Sequence, residues 1–458
     1  MAQPSGQAVV HAAGGEAATL PPAVDSGSPT ADAPRDTWQA ASGDASPGAS
    51  PAAAARAAPR PLVGALLLAA VLAAAWPLHR LPGEGPALGF SWIIGALLGF
   101  VMQRSRFCFH CNFRDFVERR EAGGLLAILA ALAAGSLGYW VIFGAWLPDP
   151  TAGRLPPDAH IGAVSLPLAA AAFVFGIGMA LSGSCLSGHL YRLGEGSPTA
   201  IFAILGAAAG FGLGFAAWPA VYAAGIREAP VVWLPAHLGY AGALALQLAL
   251  LAAVAWWLVR RQRAAAPPRG MPARHGAAPG SSTAEPLALV FSGRWPGWLG
   301  GLAVAAIATA AYLRVEPLGV TAEIGSLART ALAGLEWLPA RLDGLDRLRG
   351  CATAVRETLL SANGALVVGL VLGSLAGGVG AGQFQPRRID RRDVGRGLAG
   401  GVLLGFGAML ALGCTVGTLL SGIMAGAVSG LVFAAAAAVG AWLGLKAVAR
   451  WPVLGPRG

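Results

Sequence analysis

Charge is scarce in this sequence: 12% of its 458 residues are Asp, Glu, Lys or Arg, while 55% are hydrophobic. A soluble domain of that length needs more charge on its surface, so lipid rather than water solvates most of the chain. No Asp or Glu stands out within the apolar stretches as a proton carrier. Cysteine is rare too. Cys108, Cys111, Cys185, Cys351 and Cys414 make an odd total, which is no disulfide framework. Residues 1–60 lack any aliphatic run; their Ala, Pro, Ser and Gly cannot bury enough apolar surface to offset chain entropy, which predicts a disordered tail. The first apolar run starts near Pro61 rather than just after Met1, so it reads as a retained helix and not a signal peptide.

What the chain has instead is apolar runs long enough to cross about 30 Å of hydrocarbon. Ten are predicted: roughly 62–78, 88–103, 123–146, 166–183, 199–224, 239–259, 297–314, 363–381, 396–412 and 426–449. The fold class is therefore an all-α integral membrane protein. Residues 61–259 form a first membrane half, with an extra N-terminal helix ahead of repeat 1; 260–296 form a cytoplasmic linker; 297–458 form a second half with an outer loop, 315–362. The net charge of +10 orients this array. With the N-terminus inside, most of the 32 basic residues fall on inner segments, among them Arg104, Arg106, Arg114, Arg119 and Arg120. Acidic residues balance those in the 315–362 loop, so the positive-inside rule puts both termini in the cytoplasm. Nucleic acid is not an expected partner; the lipid bilayer is.

Two runs are interrupted in the same way. "GIGMALSGSCLSGHL" (Gly176 to Leu190) aligns without gaps on "GFGAMLALGCTVGTL" (Gly405 to Leu419), matching Gly176 with Gly405, Gly178 with Gly407, Cys185 with Cys414 and Gly188 with Gly417. Upstream, "GALLG" (Gly95 to Gly99) lies over "GLVLG" (Gly369 to Gly373), so the chain reads as a duplicated unit. The extra span at 123–146 makes the two units run in opposite directions. Inverted repeats with helices broken near the midplane place substrate sites at the repeat interface, and broken backbone at that depth must be buried in protein or line a polar path. Elsewhere in the chain glycines read as close helix packing. Around the two cysteines, Gly183, Ser184, Gly188, Gly413 and Gly417 read as helix-break or path-lining positions, and the breaks bring Cys185 and Cys414 toward a shared axis.

A third cysteine segment, "QRSRFCFHCNFRDF" (Gln103 to Phe116), follows the second span on the basic side and reads as a short helix against the inner face. Its repeat counterpart is glycine-rich, with Gly382 opposite Cys108. Cys108 and Cys111 form a C-x-x-C, yet no second such pair or paired histidine supplies the four ligands zinc wants. The soluble βαβ setting of a thioredoxin-like pair is absent, and Asn112 stands where covalent haem attachment needs His. Metal and redox roles are the minor readings; no cofactor, metal or catalytic residue is assigned. Cys111 reads as a small buried hydrophobe and Cys351 as incidental. Arg106 and His189 are auxiliary candidates, His189 more readily as a structural hydrogen-bonding group.

Together, "RSRFC…RDF", "GSCLSG" and "LGCTVGTLLSGI" resemble the YeeE/YedE family of bacterial membrane proteins over roughly residues 88–449. That resemblance implies an inverted-repeat helical fold with short central helices, uptake of thiosulfate or related sulfur and selenium species across the bacterial inner membrane, and a cytoplasmic TusA-like sulfur carrier as partner. It also implies that the family's central cysteines correspond to Cys108, Cys185 and Cys414. The chemistry is coherent. Thiosulfate is a dianion with one soft sulfur and three oxygens; carboxylates would repel it and a strongly cationic path would hold it too tightly. Neutral thiols offer weak S–H donors and polarisable contact, and helix N-termini exposed at the breaks favour an anion. Two alternatives remain: transport of another sulfur or selenium species, and a membrane sulfurtransferase passing sulfur through a cysteine persulfide.

Overall fold

The computed structural model describes residues 59–265, 286–334, 342–345, 353, 355, 361–386 and 389–451. The expected tail before residue 59, much of the 260–296 linker, and Cys351 lie outside the described residues. The rest is helical. α1 (Pro61–Ala73) and α2 (Ala75–His79) precede α3 (Gly85–Ser105), α4 (Phe109–Arg119), α5 (Gly123–Trp146), α6 (Leu166–Ser182), α7 (Leu186–Gly194), α8 (Pro198–Val221) and α9 (Leu234–Ala265). Then follow α10 (Pro286–Phe291), α11 (Gly297–Arg314), α12 (Val320–Leu332), α13 (Ala362–Gly380), α14 (Arg391–Leu410), α15 (Gly422–Met424) and α16 (Val428–Arg450). A wide π turn, Tyr222–Ile226, extends α8, and another, Thr415–Ser421, leads into α15. Among the described residues, nine helices are long and apolar enough to span a membrane. The tenth expected span is α14 with the segment Thr415–Met424, bent by 45° at the break.

The repeats are inverted, and the glycines show it atom by atom. A methyl on Gly178 would meet the backbone of Gly400 and Leu404, while one on Gly407 would meet the backbone of Ala171 and Phe175. Those are the same contacts seen from the other repeat, because Ala171 and Phe175 match Gly400 and Leu404 in the alignment that pairs Gly178 with Gly407. α3 and α13 also meet backbone to backbone, Gly95 at Leu366, Gly99 at Leu370 and Gly373 at Ala96, but these contacts advance in the same sense along both helices. The two therefore run parallel, and the expected match of Gly95–Gly99 with Gly369–Gly373 is no part of the inverted pair. The extensive pairings of α6 with α16 and of α8 with α14 exchange under the pseudo-two-fold of the inverted pair, while α6 with α14 maps onto itself. Without a hydrophobic drive between helices in lipid, such backbone-to-backbone approach supplies the adhesion, and only glycine permits it.

A stability prediction follows directly. Gly99→Ala should cost about 1–3 kcal/mol by overpacking, because its methyl would strike the Leu370 carbonyl. Gly123→Ala, with nothing within 4 Å, should cost nothing comparable. Melting of the detergent-solubilised protein reads this, and equal melting temperatures for the two variants would contradict the packing.

Two elements differ from the sequence reading. The 315–362 segment is not simply loop: α12 lies within it, packs on α8 and α13, and buries Glu323, which accepts from Ser361 Oγ at 2.7 Å. The 396–412 run begins earlier, at Arg391, because the polar first turn of α14 contributes nothing to hydropathy. At the lipid surface, Arg260, Arg261 and Lys446 lie over the rings of Trp256, Trp257 and Trp442, which form interfacial anchors at helix ends.

Candidate substrate path

α6 stops because Gly183 takes a left-handed conformation (φ 85°), its N–H closing on the Met179 carbonyl at 2.9 Å. Two arginines hold the freed end: Arg396 Nη2 donates to Leu181 O at 3.0 Å and Arg192 Nη1 to Gly183 O at 3.4 Å. Cations at a helix C-terminus are electrostatically favoured. Ser182 Oγ bonds Gly178 O at 2.9 Å and Ser184 O at 3.0 Å, so the break keeps its polar groups satisfied. After it, Cys185 is the N-cap of α7. In the inverted unit, Leu412 (φ 52°) and Gly413 (φ 156°) break the chain, and Cys414 is the N-cap of the π turn Thr415–Ser421, accepting from Val416 N at 3.4 Å. α3 ends at Arg106, itself left-handed (φ 54°), and Cys108 is the N-cap of α4. Each of the three expected thiols thus caps a helical segment, at the end where unpaired backbone N–H groups gather.

The structure brings two of them together directly. A methyl on Gly188 would lie 3.2 Å from Cys108 Sγ and 3.3 Å from Cys185 Sγ, and would strike Ser184 Oγ. Cys108 Sγ is 3.6 Å from Ser184 Oγ, and Cys185 Sγ is 3.4 Å from Ser187 Oγ. Cys108, Cys185 and Cys414 are all fully buried, as are Ser184 and Ser187. The third thiol approaches through its segment: α7 packs on the π turn that Cys414 opens, and Gly417 is buried within that turn.

Around these thiols several buried polar atoms have no protein partner, among them His189 Nε2, His110 Nδ1 and Thr415 Oγ1. Buried polar groups are seldom left so, and these can serve a polar ligand. His189, expected to hydrogen-bond structurally, leaves its Nε2 without a partner in the protein. Arg106 caps α3 and is half-buried, and no described hydrogen bond ties it to a thiol; the guanidinium at the thiols belongs to Arg192, whose Nη2 is 3.2 Å from Cys111 Sγ. Cys111 is only half-buried and touches Cys108, at 2.7 Å between sulfurs, rather than sitting among apolar side chains alone. Sequence proximity favoured Arg106, and nothing in the sequence could join Arg192 to Cys111. Among the described residues no group of three or more His, Cys, Asp or Glu is placed to hold a metal.

At the Ser165 end of α6, a small cavity is lined by His160, Ser165, Leu168, Leu412, Thr418 and Ser429, adjoining the break before Cys414. Burial pushes the His160 imidazole below its ordinary value, so this cavity carries no histidine charge near neutral pH.

Residues 104–443, nearly all of both repeats, match the family model described as "Sulphur transport". The chain belongs to that sulphur-transport family. Its kinship with YeeE/YedE proteins is seen in individual relatives. It is 28% identical to the thiosulfate transporter TsuA of Escherichia coli over 367 residues, 77% of this chain and 89% of the relative. It is 26% identical to the TsuA of Spirochaeta thermophila, covering 72% of this chain and 90% of that protein. A shorter match, 30% over 113 residues, is to the probable transporter YedE of Escherichia coli, covering 24% of this chain and 25% of that one. The sulphur-transport chain is a multi-pass membrane protein of transporter type.

Proposed function

We propose that this protein takes up thiosulfate through a central path marked by Cys414, Cys185 and Cys108. One observation carries the reading: all three thiols cap helical segments at the repeat interface, two of them converging over Gly188. Relatives named as thiosulfate transporters support the cargo. An anion arriving by the His160 cavity would meet Cys414 first, then Cys185, and Cys108 last, beside the basic end of the molecule. At each stop an S–H and nearby backbone N–H groups would donate to sulfonate oxygens, and sulfur would contact the soft terminus. His189 is an auxiliary donor. Among the described residues the charge beside these stops is Arg192, held against Cys111, and so sparse a charge holds the anion weakly enough to release it.

The distribution of arginine supports placing Cys108 on the cytoplasmic side of a bacterial inner membrane, with both termini inside. Arg119 and Arg120, exposed at the end of α4, then face the cytoplasm where a TusA-like sulfur carrier would collect the cargo. The role is transport and not catalysis.

Competition against labelled thiosulfate in proteoliposomes tests the cargo. Unlabelled thiosulfate should abolish uptake, and sulfate, lacking the soft sulfur, should not compete at equal concentration. Sulfite or selenite competing as well as thiosulfate would move the assignment to a broader sulfur and selenium carrier.

A further inference from the structure

Cys111 has no part in the path described above, yet it is built against it. It occupies the third position of α4, directly above the N-cap Cys108 on the same first turn. Its backbone N–H points at Cys108 Sγ, 3.4 Å away, and its own sulfur is 2.7 Å from that sulfur. Both are free cysteines. The pair therefore needs no backbone movement to join, the condition that most often fails when two cysteines are proposed to bridge.

The two sulfurs are unequally placed. Cys108 is fully buried and Cys111 half-buried, and the Arg192 guanidinium donates toward Cys111 Sγ at 3.2 Å. The half-buried Cys111 sulfur is the one a small disulfide reaches first in thiol–disulfide exchange.

We infer that Cys108 and Cys111 form a reversible dithiol–disulfide pair, open to low-molecular-weight disulfides, that removes the innermost path thiol when oxidised. The inference rests on the proposed transport role of Cys108. In the first step the Cys111 sulfur attacks a small disulfide RSSR, forming a Cys111–S–S–R mixed disulfide and releasing one RSH. In the second, the Cys108 sulfur attacks Cys111 Sγ, closing the intramolecular disulfide and releasing the second RSH. The protein loses two electrons and two protons, which leave on the two RSH molecules. The product lacks the Cys108 S–H and fixes its sulfur in a bond to Cys111, so it can no longer donate at the convergence over Gly188. A reducing interior reverses both steps. Uptake would thus stop when the compartment that must process the sulfur has lost its thiol reserve.

The test uses the full-length protein in proteoliposomes, oxidised with glutathione disulfide and then reduced with dithiothreitol. Peptide mass spectrometry should find a Cys108–Cys111 disulfide, thiosulfate uptake should fall at least tenfold, and dithiothreitol should restore both. Cys111→Ser should transport when reduced and lose its response to glutathione disulfide. Absence of the disulfide, a disulfide with unchanged uptake, or equal sensitivity in Cys111→Ser would each overturn the inference. Should the reduced wild type carry no thiosulfate at all, the transport reading fails, while the mass spectrum still reports whether the pair closes.

Discussion

Cys185→Ala should yield a folded protein whose thiosulfate uptake is roughly ten- to a hundredfold down, the loss expected when a donor to a charged group, worth about 1.5–3 kcal/mol, is removed. Among the three path thiols this substitution is the cleanest. Cys108 Sγ accepts from Cys111 N and Cys414 Sγ accepts from Val416 N, so truncating either also uncaps a helical segment. Cys185 is an N-cap by position, but its side chain makes no capping hydrogen bond, so alanine leaves α7 intact. Its sulfur lies 3.4 Å from the Ser187 hydroxyl, which can turn to another acceptor. Unchanged melting with lost uptake is the expected pair of results, and Cys185→Ser, which keeps a donor but not the soft sulfur, should fall between. Full uptake by Cys185→Ala would remove this thiol from the path.

Gly188→Val should be as severe for a different reason. Already the first carbon of any side chain there would press on Cys108 Sγ and Cys185 Sγ and strike Ser184 Oγ. Valine adds two methyl groups at the one point where the thiols meet. These neighbours, Ser184 and Cys185 at the α6–α7 break and Cys108 at the start of α4, are all fully buried, so an interior packed like a crystal has no slack to offer. Gly183→Ala makes a useful contrast: its methyl meets nothing within 4 Å, but its φ of 85° strains any L residue. Its expected cost is about 1–2 kcal/mol of stability. Gly188→Val should lose uptake and also melt lower, whereas Gly99→Ala, overpacked away from the thiols, should melt lower and keep its uptake; normal uptake in Gly188→Val would deny the convergence any role.

The membrane helices were legible because lipid imposes one simple demand on composition. Residues 123–146 and 297–314 were bounded as the structure has them, and the inverted duplication was visible in the paired glycines. α12 was not legible: it is too short to span, and its buried face makes sense only once α8 and α13 stand beside it. The candidate site was half legible. Glycine, serine and cysteine clustered in one interrupted run identify a break, so the helix breaks at Cys185 and Cys414 could be read from pattern. Cys108 needed the family resemblance, because the sequence match sets Gly382 opposite it. The Cys108–Cys111 contact was missed for a physical reason: C-x-x-C at a helix start brings two sulfurs together whatever surrounds them, whereas the sequence argument asked for a soluble βαβ setting. Arg192 and the unpartnered His189 Nε2 depend on contacts between elements far apart in the chain, which periodicity does not encode.

The central claim is that the intact anion passes along neutral thiols without reacting with them. Thiosulfate labelled differently at its two sulfurs, supplied to proteoliposomes holding the reduced protein, tests it most directly. The account predicts that both labels enter together, at equal rates, and that no path cysteine retains sulfur afterwards. Entry of the outer sulfur alone, with sulfite left outside and a persulfide on Cys108, would contradict it and make the protein a sulfurtransferase.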